Sequence, residues 1–260
     1  MSAITQALVQ PRLWRGLVLP IFVVFAWIVV CRYDLANTRI LVPPLAVWEA
    51  AKAQHESGEL WAHLRASLGR DLLGVALGTL AGTAVGGFLA LSRTADRLFS
   101  PSFHAAKQVA LFAWIPLMSV WLGVGEQAKV AFIALSAFYP VVVNTYEGVR
   151  SVGVEHIEVA RVLRFSRWQV VRKVVLPSAA PSLFAGVHQA LIYAWLGTLG
   201  AEYLLEPAPG IGSLMVDGRE RFAMDVVLVG LIVSGLVGFG LNLLATAAEE
   251  RLLRWRVRGV

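Results

Sequence analysis

Charge, cysteine and catalytic motifs are all scarce in this sequence. Only 15% of its 260 residues are charged, against about 25% in soluble domains. A buried all-α soluble protein would need polar helix faces, and the apolar blocks of this chain lack them. The single cysteine, Cys31, rules out an internal disulfide and leaves the redox compartment open. No Gly-Lys dipeptide occurs, so the chain has no phosphate-binding loop of the G-x-x-x-x-G-K-[ST] kind and no ATP site of its own. Energy for its work must come from a separate subunit or from a gradient. His55, His63, His104, His156 and His188 are dispersed and offer no metal-ligand spacing. No nucleophile, base and orienting group converge, so the sequence does not read as an enzyme.

Apolar residues are abundant. They make up 57% of the chain, the mean hydropathy is +0.67, and they cluster in blocks long enough to cross a bilayer core of about 30 Å. The expectation is an all-α membrane protein: a polytopic helical bundle of about six transmembrane helices in one domain over 1–260. The spans fall near 13–31, 71–91, 103–122, 128–148, 181–203 and 225–247. The first block follows Arg12 and Arg15 as a signal peptide would, but no A-x-A-like cleavage site follows it, and Val30 is too bulky for a lipoprotein site before Cys31. It reads as a retained span with a kink at Pro20. Pro116 and Pro140 are expected to loosen the third and fourth blocks. Residues 45–68 suit two short amphipathic helices broken at Gly58, lying on the membrane surface, or a solvated connector. Residues 204–224 read as a loop.

The net charge of +6 does not indicate nucleic acid, because the cations lie in loops between apolar blocks, where they orient a membrane protein. With both termini cytoplasmic, 15 of the 23 lysines and arginines face inward and eight outward. The inward set includes Arg12, Arg15, Arg150 and the tail arginines Arg251, Arg254, Arg256 and Arg258. The outward set includes Arg39, Arg70 and Lys129.

Gly74, Gly78, Gly82 and Gly86 recur every fourth residue, which strips one helix face of side chains and lets a neighbouring backbone approach closely. Packing within the subunit is expected ahead of a dimer seam. Polar and aromatic groups inside the spans are candidates for a translocation path, because such groups are costly in a membrane and often functional. They are Gln108, Trp114, Ser119, Tyr139, Asn144, His188, Gln189, Tyr193 and Glu202. Interhelical hydrogen bonding accounts for Gln, Asn and Ser equally well, and packing or an interfacial belt for Trp114 and Tyr139. Glu202, near the outer end of its block, can simply face water. No span carries Lys or Arg at its centre, which suits passage of an anion or a neutral solute without trapping it.

The stretch EVARVLRFSRWQVVRKVVLP, residues 158–177, is too charged for lipid yet lies between two apolar blocks. A short helix up to Leu163, with Val154, Ile157, Val162 and Leu163 anchoring it, precedes a Ser-x-x-Gln capping box at Ser166 that starts a second helix. Pro177 ends that helix or begins the return to the membrane. Such a hairpin on the inner face suits docking of a cytosolic partner or binding of anionic lipid heads. Trp168 is an anchor or an interfacial belt residue. Glu158 pairs within the hairpin, within the membrane domain, or with a partner.

Glu158-x-Ala160, then position 164, then Val174-x-Leu176-Pro177 resembles the EAA loop of binding-protein-dependent ABC importer permeases, whose pattern is Glu-Ala-Ala, three residues, Gly, nine residues, Ile-x-Leu-Pro. Arg164 stands where the family has Gly; in a left-handed turn it costs about 1 kcal/mol more than Gly. SGELWAHLRASLGRDLLG (57–74), LGVGEQAKV (122–130), NTYEGVRSV (144–152), LPSAAPSLFAGV (176–187), AWLGTLGAEYL (194–204), GIGSLMVDGRE (210–220) and EERLLRWR (249–256) are similar to permeases of the sulfonate, taurine and nitrate uptake group, most of all to aliphatic sulfonate permeases. The resemblance implies a type I ABC importer-like fold in a bacterial inner membrane, with a cytoplasmic coupling hairpin over 155–177. It implies a homodimer around one pore, a cytosolic ABC ATPase dimer that binds ATP and Mg, a periplasmic or lipid-anchored substrate-binding protein, and surrounding membrane lipid. ATPase coupling would fall to Glu158, Ala160, Arg161, Arg164, Trp168, Leu176 and Pro177. The expected cargo is a small organic anion, an aliphatic sulfonate first, with taurine and nitrate as alternatives. A gradient-driven transporter would show inverted repeats, and blocks one to three do not mirror four to six. A membrane-embedded enzyme would need a catalytic constellation that is not found.

Overall fold

The computed structural model describes residues 11–33, 35, 41–205 and 207–253, without the side chains of 11–17 and 20. The side chains of Arg12, Arg15 and Pro20, and the whole of Arg39, Arg254, Arg256 and Arg258, on which expectations rest, therefore lie outside the described residues. Every regular element among the described residues is helical. The chain divides into two compact units, Met1–Leu60 with Leu214–Leu231, and Trp61–Ser213 with Ile232–Val260.

In the first unit, α1 (Pro11–Arg32) is followed by α2 (Pro44–Glu56), into which the short segment 41–43 leads. The Trp27 indole donates to the Val42 carbonyl at 3.1 Å, tying that segment back onto α1. Pro44 sits in the first turn of α2, where a missing N–H costs nothing. After α2 the chain turns at Gly58, whose φ of 79° suits only a residue without a side chain.

The second unit is built on α3 (Glu59–Leu91), α4 (Arg93–Lys107), a 3₁₀ turn (Leu111–Trp114) leading into α5 (Ile115–Leu122), and α6 (Glu126–Arg150). Next come α7 (Val154–Val162), α8 (Arg167–Val170) and α9 (Leu176–Leu204). Two further helices, α10 (Ile211–Glu220) and α11 (Met224–Leu252), follow, and residues 232–252 of α11 belong to this unit. Among the described residues, four helical stretches are long and apolar enough to cross a membrane: Glu59–Leu91, Glu126–Arg150, Arg167–Leu204 and Met224–Leu252.

The core of this unit is α6, held between α3 and α9. Ile133, Ala137 and Val141 of α6 pack with Val75 of α3 and with Ala190 and Ala194 of α9. The glycine row makes one of these contacts possible. A Cβ at Gly82 would lie 2.8 Å from Val141 Cβ, one at Gly86 would lie 2.6 Å from the Val142 carbonyl oxygen, and Gly74 and Gly78 press on Ile133 and the Ala134 carbonyl. On the other side of α6, a Cβ at Gly186 of α9 would lie 2.8 Å from Asn144 Cβ. Small residues thus bring both neighbours to near backbone contact with α6.

Several sequence expectations are corrected. The stretch expected to end as a short surface helix near 68 continues unbroken into the span as α3, because nothing between 59 and 91 stops a helix. Block 103–122 is not one straight span: α4 and the 111–122 stretch meet at 100°. The charges of α4 (Arg93, Asp96, Arg97, Lys107) keep it out of lipid, and twelve helical residues rise only about 18 Å. Pro116 falls in the first turn of α5, and Pro140 lies inside an unbroken α6. The supposed loop 204–224 contains α10. Of the two readings of Pro177, ending the helix or beginning the return toward the next span, the first is overturned, for the second arm of the hairpin does not end there. It runs through a π-helical turn, Val171–Val175, where the Leu176 N–H reaches back five residues to the Val171 carbonyl, and continues as α9. The wider turn accommodates the missing donor and bulky ring of Pro177.

Candidate functional site

The hairpin between α6 and α9 carries the strongest sequence signal, and its turn is closed by backbone bonds at both helix ends. The Phe165 N–H donates to the Ala160 carbonyl (3.0 Å) and the Arg164 N–H to the Arg161 carbonyl (2.9 Å). This is a Schellman closure of α7. It puts Arg164 at φ 52°, the left-handed conformation the glycine would have served. Directly after it, the Ser166 N–H donates to Gln169 Oε1 (2.8 Å) and the Gln169 N–H to Ser166 Oγ (3.3 Å), the reciprocal capping box expected from Ser-x-x-Gln. The Lys173 ammonium lies 5.1 Å from the centroid of the Phe165 ring.

Between the two arms lies an open cleft of about 600 Å³, lined by His156, Val159 and Ala160 of α7, by its C-cap Leu163, and by Phe165, Lys173, Val174 and Pro177. Ala160 is the only buried residue of α7. Val154, Val162 and Leu163, expected to anchor the helix, are instead exposed, Val162 at 83%. A nine-residue helix that buries only Ala160 leaves Ile157 half-buried and presents Val154, Val159 and Val162 outward. Trp168 is 69% exposed, and Leu176 and Pro177 are exposed. Glu158, Arg161 and Arg164 are exposed, and Glu158 has no hydrogen bond or ion pair among the described residues.

At the hairpin end of α6 a second polar cluster joins α4. Asp96 Oδ1 accepts from Ser100 Oγ (2.6 Å) and Tyr146 Oη (2.9 Å), and Oδ2 accepts from Arg150 Nη1 (2.7 Å). The Ser100 hydroxyl, then Tyr146 and Arg150, hold the Asp96 carboxyl below the usual carboxylate range.

At the opposite end of the three-helix core lies a charge network that the sequence reading missed. Glu202, a path candidate that could instead have faced water, is 1% exposed. Its carboxylate accepts from Ser67 Oγ (2.8 and 2.9 Å), Arg70 Nη1 (2.7 Å) and the Gly212 N–H (2.9 Å). Arg70 also donates from Nε and Nη2 to the two oxygens of Glu126 (2.6 and 2.7 Å). The Ile211 N–H donates to Ser67 Oγ at 2.9 Å. Asp71 accepts from Thr198 Oγ1 at 3.0 Å, and Lys129 is fully buried with its ammonium 4.0 Å from Glu126. One guanidinium therefore joins α3, α6 and α9, while Glu202 holds the first turn of α10. A legible signal existed: Arg70 is one step N-terminal on the same four-residue row as Gly74, Gly78, Gly82 and Gly86. The Glu202 carboxylate is thus held entirely by groups of this cluster.

The remaining path candidates are spread along the unit. Asn144 Nδ2 donates to the Pro140 carbonyl (2.8 Å) and to Gln189 Oε1 (3.0 Å), so these two meet. Gln189 and Tyr193 are exposed on α9. His188 turns to α11, with Nε2 2.7 Å from Asn242 Oδ1. Ser119 Oγ donates back to the Ile115 carbonyl (2.9 Å), Tyr139 packs on Phe103, Trp114 is half-buried, and Gln108 is exposed at the bend after α4. The candidates therefore do not form one constellation; only Asn144, Gln189 and Tyr193 lie together.

The chain is similar to known proteins. Residues 74–254 match the family described as binding-protein-dependent transport system inner membrane component. The chain is 34% identical over 242 residues, 93% of this chain and 87% of the other, to a Bacillus subtilis (strain 168) protein named as the aliphatic sulfonates transport permease SsuC. It is 35% identical over 234 residues, 88% and 85% of the two chains, to the taurine transport system permease protein TauC of Escherichia coli (strain K12). Its fold matches a chain of the MetNI methionine ABC transporter in an inward facing conformation, with a TM-score of 0.61 at 20% identity, covering 77% of this chain and 97% of that one. The family match and these relatives show that the chain belongs to the binding-protein-dependent ABC transport permeases, inner membrane components that form the path for solute.

Proposed function

We propose that two copies of this chain form the pore of an ATP-driven importer for aliphatic sulfonates, with the 154–176 hairpin as the coupling element for a cytosolic ATPase. The observation that carries the coupling role is the hairpin itself. It is held rigid by a Schellman closure and a capping box, yet Val162, Leu163, Trp168 and Glu158 find no partner in it. Tryptophan and arginine side chains on a preorganised surface are the usual anchors of a protein interface. The hairpin end then faces the cytoplasm, as do both termini, and the Arg70–Glu202 end faces a periplasmic or lipid-anchored binding protein. ATP and Mg belong to the ATPase.

Two relatives at 34 and 35% identity carry names for substrates that share a sulfonate head group, which supports a sulfonate over nitrate. The test is reconstitution in proteoliposomes with the cognate ATPase and binding protein. Uptake of an alkanesulfonate should require ATP and exceed uptake of nitrate. Trp168→Ala should weaken ATPase binding about thirtyfold, as loss of an interface anchor of about 2 kcal/mol does, with the membrane level of the permease unchanged. Uptake without ATP, or wild-type coupling in that variant, refutes the reading.

A further inference from the structure

The exposed face of α9 that borders its contact with α6 is built unlike a lipid-facing surface. α9 buries Gly186, Ala190, Ala194, Gly197 and Ala201, and Gly186 and Gly197 press on Asn144 and Ser136 of α6. Its flank meets α11, where the Trp195 indole donates to the Ser234 carbonyl at 3.0 Å. The face left open is Gln189, Ile192, Tyr193 and Leu196, spaced i, i+3, i+4 and i+7 and all exposed. Gln189 and Tyr193 are polar groups one turn apart on a membrane-crossing helix, where an amide turned to hydrocarbon is costly.

The orientation of the Gln189 amide follows from its neighbours. The Pro140 carbonyl can only accept, so the Asn144 atom 2.8 Å from it is Nδ2. The same Nδ2 lies 3.0 Å from Gln189, which must present its acceptor, Oε1. The two N–H groups of Gln189 Nε2 are left on the open side. Neither they nor the Tyr193 hydroxyl has a partner among the described residues. The face therefore offers neutral donors, and no cation, to whatever passes it.

We infer that Gln189 and Tyr193 form an oxyanion-donor station on the translocation path, with Asn144 as the positioning residue that fixes the Gln189 amide. The inference rests on the sulfonate reading above. Neutral donors suit a sulfonate in transit, because they recognise its oxygens without the hold of a Lys or Arg. Two copies facing one path would present the donors from both sides.

The test is alkanesulfonate uptake in proteoliposomes with ATPase and binding protein. Tyr193→Phe and Gln189→Leu should each lower uptake about five- to tenfold, the scale of one neutral hydrogen bond. Gln189→Glu, which keeps the size and the Asn144 contact but replaces the donors with a negative charge, should lower it further. Asn144→Ala should lower uptake in the wild-type background and add nothing in Gln189→Leu, whereas a purely structural role would add its loss in both. Absence of sulfonate uptake in the wild type sinks the functional reading on which this rests. Wild-type uptake with unchanged rates in Gln189→Leu and Tyr193→Phe overturns the station alone. Loss of monodisperse or dimeric protein in every variant, Gln189→Glu included, assigns the face to packing or to contact between copies and also overturns it.

Discussion

Glu202 shows what a single buried charge demands. Its carboxylate is out of water and is satisfied by Ser67, Arg70 and the Gly212 N–H. Removing one partner of a buried pair strands the other, at a cost of about 3–5 kcal/mol. Glu202→Ala should therefore lower the thermal unfolding midpoint of the detergent-solubilised protein sharply and release α10 from its first turn, while Glu202→Gln, which retains an acceptor, should cost less. Equal midpoints for Glu202→Ala and the parent would remove the network from the list of stabilising features. Arg164 is the converse case, a residue held against its preference. At φ 52° a side chain costs about 1 kcal/mol more than glycine. Arg164→Gly should slow hydrogen exchange at the Phe165 N–H by about fivefold, the equivalent of that energy, and faster exchange there would contradict the strained-turn account. Little of this was readable in sequence. The spacing of the loop motif located position 164 but left its backbone open. Arg70 and Glu126 sit at the ends of apolar blocks, where a cation or carboxylate reads equally as a loop charge, and only the third dimension brings Glu202 to them.

For whole elements, the periodic signals fared best. The four-residue glycine row presses α3 on α6 at Val141 and Val142, and Ser-x-x-Gln starts α8 at Ser166. Both are local patterns whose physics needs no distant partner. The elements misread were those whose fate depends on what surrounds them. α3 runs on past its expected surface segment because Ser67, Arg70 and Asp71 find partners, and 103–122 breaks because α4 is too polar to follow α5. Gly82→Leu tests the glycine row. The added side chain enters space now held by Val141, and overpacking of this kind costs about 1–3 kcal/mol or more. The variant should give reduced yield of folded protein and a lower midpoint, whereas Gly87→Ala, on a face with nothing within 4 Å, should behave as the parent. The same midpoint for both would show that the close approach of α3 to α6 is not a source of stability.

At the scale of the whole molecule, composition and block length were enough for an all-helical membrane protein, and the loop motif for its family. The number of spans was less legible, because hydropathy counts apolar residues and not the direction of the helices carrying them. Orientation yields a direct measurement. With Cys31, the only cysteine, replaced by Ser, a single cysteine at Arg167 should react with an impermeant maleimide in inside-out vesicles and not in right-side-out ones. The opposite pattern would put the hairpin on the wrong side of the membrane for a cytosolic ATPase.

The π-helical turn at Val171–Val175 carries a mechanical consequence. It makes Arg167–Leu204 one continuous helical rod of 38 residues, roughly 55 Å long. A pull on the hairpin would be delivered as tilt along the entire lever, and the widened coil near its foot, with Pro181 further along, marks where such a lever can flex without snapping its ladder of amides.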